Sequence, residues 1–354
     1  MEKRPFYALT FNDLEAELHS KSFNLQGAKV LYNWHYRKRK PHPCVIDLAQ
    51  ETQSHLEQSF DFTLPEIKHV HQSSDGTVKF LMALSDGKKI ETVLIPFHNK
   101  YSLCISSQVG CAMKCSFCYT GTMGLSRHLS TSEIVGQYLM ADRWRQENLL
   151  ANKGDKRNIL SLVFMGQGEP LHNFDAVKKA CEIFLCPYGA TMAIQKITIS
   201  TAGYLPGIER WKTEMPGVNL ALSLHSTDNT KRNELIPLNK RYPLSEVLTA
   251  IDDLKLAKKQ FITYEYLLIK DFNDSQEDAN ELGKLLKGRR SIINLIPFNP
   301  FPGSPYQRPT KERTQQFMKV LEGHRIPTMI RITKGDDILA ACGQLNSKTG
   351  LGEP

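Results

Sequence analysis

The chain lacks any hydrophobic run near the ~20 residues that a bilayer-spanning helix requires. Its charged start, Met1-Glu-Lys-Arg-Pro-Phe6, has no apolar stretch behind it that would read as a secretory signal. It has no internal repeat and no low-complexity segment, so solenoid and disordered architectures are not expected. Eight cysteines in 354 residues, three of them bunched, do not make a disulfide scaffold and suit a reducing cytosol. These absences predict a cytoplasmic protein with no membrane contact. What remains is ordinary globular composition, 41% hydrophobic and 23% charged, enough for one large domain and a small one. The net charge is +8, and the excess lies mainly from Tyr101 onward, which suits a polyanionic substrate such as RNA.

The most informative stretch is Cys111-Ala-Met-Lys-Cys115-Ser-Phe-Cys118. Thiolates are soft ligands suited to iron–sulfur clusters, and a [4Fe–4S] cube usually takes four of them. A loop that supplies three leaves one iron open. The competing readings are a zinc site, with His128 as the nearest candidate for a fourth ligand, and three core cysteines. The CxxxCxxC spacing, with aromatic Phe117 before the third cysteine, resembles the radical S-adenosylmethionine (SAM) superfamily, in which the open iron holds the amino and carboxylate groups of SAM.

In order along the chain, residues 1–60 read as helical. Leu9, Phe11, Leu14 and Leu18 recur at near-helical spacing after a cap at Thr10 or Asn12. A second helix from Gln26 carries Val30, Leu31, Trp34 and Tyr36 and runs into Arg37-Lys-Arg-Lys40, then Pro41 and Pro43. That basic run is either a solvated helix end or a phosphate-contacting patch of an RNA-docking module. Residues 61–100 change to period two and read as an antiparallel β meander with turns at Ser73–Gly76 and Ser85–Gly87. From residue 101 the pattern alternates. Apolar runs at Leu103–Ile105, Ile159–Phe164, Ile197–Ser200, Val218–Leu224, Ile262–Ile269, Ile292–Ile296 and Met329–Ile332 are strands. Helical stretches fall at Thr131–Glu147, Ala176–Leu185, Leu244–Lys258, Gln276–Lys287 and Lys311–Gly323. Strand and helix in alternation predict an α/β fold with a parallel sheet, a partial (βα)6 barrel. Residues 101–340 form this core, and 341–354 a C-terminal loop. Functional residues should gather at the C-terminal ends of the strands, and the cysteine loop follows the first of them.

The other chemical motifs sit at strand ends. Phe164-Met-Gly-Gln-Gly-Glu-Pro170 closes the second strand, Ser200 the third and Ser223-Leu224-His225 the fourth; Asn299 follows the sixth. Together with Ser106–Cys118, Ile296-Pro-Phe-Asn-Pro300 and Lys334-Gly-Asp-Asp-Ile-Leu-Ala-Ala-Cys342-Gly-Gln-Leu345, these resemble the RlmN/Cfr family of radical SAM RNA adenine methyltransferases. The match runs from about Glu91 to Leu345 in the family's order. Tyr119-Thr-Gly departs from it, where Ala or Ser is commoner, and removes no ligand.

The resemblance implies a [4Fe–4S] cluster on Cys111, Cys115 and Cys118, with two SAM molecules consumed per turnover. It implies SAM contacts at Gly168, Glu169, Ser200, Ser223, Leu224, His225 and Asn299. It implies that Cys342 is itself methylated, that Cys104 is its redox partner, and that Glu91 removes the proton. By sequence alone the two cysteines read as buried core thiols and Glu91 as a solvent-facing strand residue.

The chemistry explains the parts. C2 and C8 of adenine are not nucleophiles, whereas a thiolate is, so Cys342 takes the first methyl. A radical from the second SAM then activates that methyl for addition to the base. Cys104 finally attacks the Cys342 sulfur, forming a disulfide, which requires Cα atoms within ~7 Å. The expected substrate is one adenine of 23S ribosomal RNA, at C2, with tRNA as a second substrate; C8 methylation as in Cfr is the alternative. RNA and an electron donor such as flavodoxin are the expected partners, DNA is not. A glycyl-radical activase and a non-catalytic RNA binder are the rival classes. Cys44, Cys181 and Cys186 are too few for a second cluster and read as structural.

Overall fold

Ten short strands, laid side by side in the order of the chain, set the architecture of this computed structural model, which describes residues 3–40 and 48–347. The strands are β1 (Glu66–Gln72), β2 (Val78–Ala83), β3 (Lys89–Pro96), β4 (Tyr101–Cys104), β5 (Ile159–Phe164), β6 (Ile197–Thr201), β7 (Asn219–Ser223), β8 (Ile262–Leu268), β9 (Ser291–Pro297) and β10 (Thr328–Ile330). β1 to β4 pair antiparallel through tight turns, and β4 to β10 pair parallel through helical crossovers. The sheet is an α/β partial barrel that does not close on itself. The meander read at 61–100 is hydrogen-bonded to the first barrel strand and extends the sheet.

The eleven helices among the described residues are α1 (Phe11–Ser20), α2 (Gln26–Tyr32), α3 (Gln50–Ser59), α4 (Tyr119–Thr122), α5 (Thr131–Arg145), α6 (Phe174–Leu185), α7 (Leu205–Glu214), α8 (Asn229–Leu235), α9 (Leu244–Asp252), α10 (Gln276–Leu286) and α11 (Lys311–Gly323). Thr10 caps α1 in a reciprocal capping box with Asp13, as the sequence suggested. Helix α7 was not anticipated. Pro206 lies in its first turn, where a missing N–H costs nothing, and at Gly207 an added Cβ would fall 2.5 Å from the Leu171 Cβ. Helix α9 stops at Asp252 rather than Lys258, because Gln260 folds its side chain back to Ala257 N–H and Val218 O, which closes a loop. The last strand ends at Ile330, and Ile332 is left 78% exposed.

One continuous hydrophobic core takes in Leu14, Leu18, Leu31, Tyr32 and Tyr36 of the N-terminal helices together with the barrel. The basic run divides there. Arg39 turns inward, with Nε 2.7 Å from Asp142 on α5 and its guanidinium on the Tyr138 hydroxyl, while Lys38 lies over the Trp34 ring. Pro41, Pro43 and Cys44 lie outside the described residues, as does the C-terminal loop from residue 348. Asp142 also accepts from Arg145 Nε at 2.6 Å, so one buried carboxylate holds two guanidinium groups. Asp142→Ala would strand both charges. We expect a loss of about 3–5 kcal/mol, read as a lower denaturation midpoint.

No helix among the described residues is long and apolar enough to cross a membrane.

Candidate active site

The cysteine loop is pinned from below before its thiols are placed. Gln137 of α5 receives the Ser106 N–H at 2.8 Å and donates to the Ser106 carbonyl at 2.9 Å. The Ser106 hydroxyl donates to Glu91 O and accepts from Gln167 N–H, tying the loop to β3 and to the turn after β5. Gly110 and Lys114 both have positive φ, which turns the chain back on itself, and Cys111 N–H meets Gly124 O at 3.0 Å.

Cys111, Cys115 and Cys118 then line one cavity at the C-terminal ends of the strands. Burial pushes the Cys111 thiol up to about 12 and moves Cys115 and Cys118 upward as well. Thiols held this way ionise only against a strong local positive charge, such as that of an iron cluster. Among the described residues no three His, Cys, Asp or Glu side chains converge tightly enough to hold a single ion. Three thiols on one cavity wall, all soft ligands, suit an iron–sulfur cluster. His128 is engaged elsewhere, with Nδ1 on Gln108 and its ring edge-on to His172.

Gly168, Glu169, Ser200, Ser223 and His225 line the same cavity. Gly168 has φ +102°, and a Cβ there would sit 2.5 Å from the Gln108 Cβ. The buried Glu169 carboxylate accepts Ala202 N–H at 2.8 Å and Leu171 N–H at 3.1 Å, yet burial pushes it up to about 7. His225, held down to about 3 by burial and by Arg232, accepts Leu267 N–H on Nδ1, so its neutral ring carries the proton on Nε2. Its ring stands edge-on to Phe117 at 4.7 Å. Leu224 is wholly buried behind this wall, its N–H on Glu265 O.

Cys342 lines this cavity too, although 224 positions separate it from Cys118. The cause is a set of straps. Tyr119 N–H donates to Gly343 O at 2.7 Å and the Thr120 hydroxyl to Leu345 O at 2.7 Å. Asn299 Nδ2 donates to Cys342 O, and Gln344 Nε2 to Pro300 O. The Tyr119 backbone and the Thr120 hydroxyl therefore fasten the C-terminal loop to the cysteine loop.

Cys342 also lines a second, smaller cavity. Cys104, Met165, Ile296, Asn299 and Arg331 are among its other walls. Cys104 packs with Ala340 and Leu345 of the C-terminal loop, and burial followed by the nearby Cys342 pushes its thiol up to about 12. Asn299 belongs to this second cavity and is not on the wall that carries the three cysteines. Glu91 does not face solvent. It is 4% exposed, on the β3 face that also presents Val93 and Ile95 to the C-terminal loop, and Val93 pairs with Cys104. Its carboxylate sits 2.9 Å from Lys79 Nζ, which also donates to Leu339 O; burial raises it and Lys79 lowers it.

The Radical SAM superfamily matches residues 105–283. The "Dual-specificity RNA methyltransferase RlmN" of Zymomonas mobilis subsp. mobilis is 40% identical over 351 residues, 96% of this chain and 88% of that protein. That of Dinoroseobacter shibae is 41% identical over 309 residues, 86% of this chain and 78% of that protein. The chain belongs to the RlmN family. A crystal structure of a radical SAM methyltransferase from Sphaerobacter thermophilus superposes with a TM-score of 0.89 at 36% identity, covering 97% of this chain and 99% of that one. As a member of the RlmN family the chain is a radical SAM RNA methyltransferase, and its cofactors are a [4Fe–4S] cluster and SAM.

Three residues of this RlmN-family site escaped the sequence. Glu265 of β8 lines the first cavity, accepts from the Ser200 hydroxyl at 3.2 Å and leaves Oε1 buried without a partner. Arg331 lines the second, and its charge is stabilised first by Cys342 and then by Glu265. A single charge inside Ile262-Thr-Tyr-Glu-Tyr-Leu-Leu268, and another inside Met329-Ile-Arg-Ile332, were the available signals. Arg232, wholly buried, donates to Ala202 O, Ser223 O and Leu224 O and so stitches the ends of β6 and β7. It looks like any surface arginine in Asn229-Thr-Lys-Arg-Asn-Glu-Leu235, and nothing in the sequence marks it.

Proposed function

We propose that this chain methylates C2 of one adenine in 23S ribosomal RNA and an adenine of tRNA, with Cys342 as the methyl carrier. The observation that carries the reading is the position of Cys342 on the wall common to two cavities. One holds the three cysteines and the strand-end polar groups, and the other holds Cys104. A sulfur on such a partition can be loaded on one side and present its carbon to a base on the other. The relatives are named for dual specificity, which supports two RNA substrates, and C2 over C8 follows the resemblance to RlmN rather than Cfr.

In this reading Cys111, Cys115 and Cys118 hold the cluster. Gly168, Glu169, Ser200, Ser223, His225 and the backbone of Leu224 hold SAM, with Asn299 positioning the Cys342 loop beside it. When bound, the pair supplies a methyl group for the Cys342 thiolate and a one-electron route to activating the S-methyl, with electrons from a donor such as flavodoxin. Cys104 resolves the product by attacking the Cys342 sulfur. Glu91, 2.9 Å from Lys79 Nζ on the face beneath the C-terminal loop, takes the proton from the base. The adenine must arrive unpaired, because a stacked base hides both C2 and C8. Residues 1–60, with Arg37, Lys38 and Lys40, serve as an RNA-docking module on the 101–340 core.

Mass spectrometry of adenosines from rRNA and tRNA of a deletion strain, with and without the restored gene, tests this. Gene-dependent 2-methyladenosine in both RNAs is expected. Gene-dependent 8-methyladenosine would overturn the carbon assignment, and loss from rRNA alone would overturn the tRNA substrate.

The Glu169 carboxylate, pushed up to about 7, must be ionised to meet the SAM ammonium. Lowering the pH below 7 protonates it, so SAM affinity should fall by up to about tenfold per pH unit until the bound-state value is passed. Calorimetry of SAM binding between pH 8 and 5.5 reads this, and Glu169→Gln should bind weakly with the slope removed.

A further inference from the structure

The far end of the barrel, away from the cysteines, holds an open polar hollow. The turn after α9 and the turn before β9 form its walls, including Lys255, Lys287, Arg289 and Arg290. Lys258 and Lys259 continue the same turn, and Arg290 donates to Leu256 O and Ala257 O, which binds the two walls together. Of these cations Arg289 alone is matched by a carboxylate, Asp252 at 2.8 Å. Lys255, Lys258, Lys259, Lys287 and Arg290 are exposed and form no ion pair among the described residues. The basic run at Arg37–Lys40, by contrast, is partly spent inside the protein, with Arg39 on Asp142.

We propose that this hollow binds backbone phosphates of the substrate RNA, at a second site remote from the mouth that receives the base. The inference rests on RNA being the substrate. Lys255, Lys287 and Arg290, exposed and unneutralised, meet at the hollow from two turns, and Lys258 and Lys259 are exposed on the same turn as Lys255; together they form the electrostatic footprint of a polyanion site. Its place fixes the kind of RNA. Strands β8 and β9 are seven residues long, about 20 Å at the usual rise. An RNA with its base in the mouth reaches the hollow only if it is folded, with a second arm that passes round the barrel. A short single strand fills the mouth alone. Location also argues against an acidic electron-donor protein here, because it would dock the thickness of the barrel away from the cysteines.

The test replaces Lys255, Lys258, Lys259 and Lys287 with Gln together, none of which touches either active-site cavity. Binding of a full-length tRNA transcript is measured against salt, beside methylation of a short RNA fragment carrying the target adenine. The salt slope should fall by about 3, with affinity down on the order of tenfold at physiological salt, while the short fragment is methylated as before. An unchanged slope overturns the proposal. Equal loss on the short fragment overturns it too, since the effect then belongs to the mouth or to the fold. Unchanged RNA binding with slower cluster reduction by flavodoxin assigns the hollow to a protein partner and also overturns it. If the unmodified enzyme binds the transcript but methylates neither RNA, the functional reading fails and the binding result still decides the hollow.

Discussion

Cys342→Ala should abolish RNA methylation, by on the order of 10⁴-fold or more, while the protein still takes up iron and binds SAM. The reason is division of labour. Cys111, Cys115 and Cys118 line only the first cavity, whereas Cys342 is common to both and its loop is held by backbone acceptors, Gly343 O and Leu345 O, that an alanine leaves intact. Loss of the thiol removes the nucleophile without moving the straps. Cys104→Ala should fail differently. The carbon would bond to the base while still attached to the Cys342 sulfur, and no second thiol would be there to attack that sulfur and break the sulfur–carbon bond. A protein–RNA conjugate that survives denaturing gel electrophoresis should accumulate with Cys104→Ala and be missing when Cys342 is also Ala. Methylated RNA from Cys342→Ala would remove Cys342 from the role of carrier, and free product at normal rate from Cys104→Ala would remove Cys104 from the role of resolving thiol.

The second large effect is expected at Gly110, where substitution by alanine should leave the protein unable to hold its cluster. A Cβ there would lie 1.8 Å from Gly124 O, at φ +76°. The left-handed conformation alone costs about 1–2 kcal/mol. The clash is with backbone, so relief must break the contact between Cys111 N–H and Gly124 O and shift the first thiol. The total should be on the order of 4 kcal/mol, concentrated in the loop. Iron content and visible absorbance after anaerobic reconstitution should drop to a small fraction. Gly124→Ala is the control: φ is +66° but open space surrounds the site, so it pays the conformational cost without the clash and should reconstitute nearly as before. Equal iron in the two variants would show that the loop does not depend on this approach.

How much could be read beforehand depended on distance along the chain. The strands of the barrel were legible because each is a short apolar run between turns, and their order in the sheet follows the order of the sequence. The cysteine triad and the Gly-Glu-Pro turn were legible because their residues lie within a few positions of one another. Helix α7 was lost to Pro206 and Gly207, whose breaking tendency is harmless in a first turn packed against Leu171. Glu91 was ambiguous because period-two alternation states that faces differ and leaves open which is covered. Here the C-terminal loop, some 250 residues later, covers the face of Glu91, Val93 and Ile95.

By itself, then, the sequence determined the barrel and the family and singled out three cysteines as the proposed ligand set, because thiol spacing and hydrophobic period are local properties. Only the tertiary structure decided that Cys342 stands between two cavities, that Asn299 holds its loop from the second, and that Glu265, Arg331 and Arg232 surround the site. Those facts come from hydrogen bonds and buried charges between segments hundreds of residues apart, and no local pattern encodes such contacts.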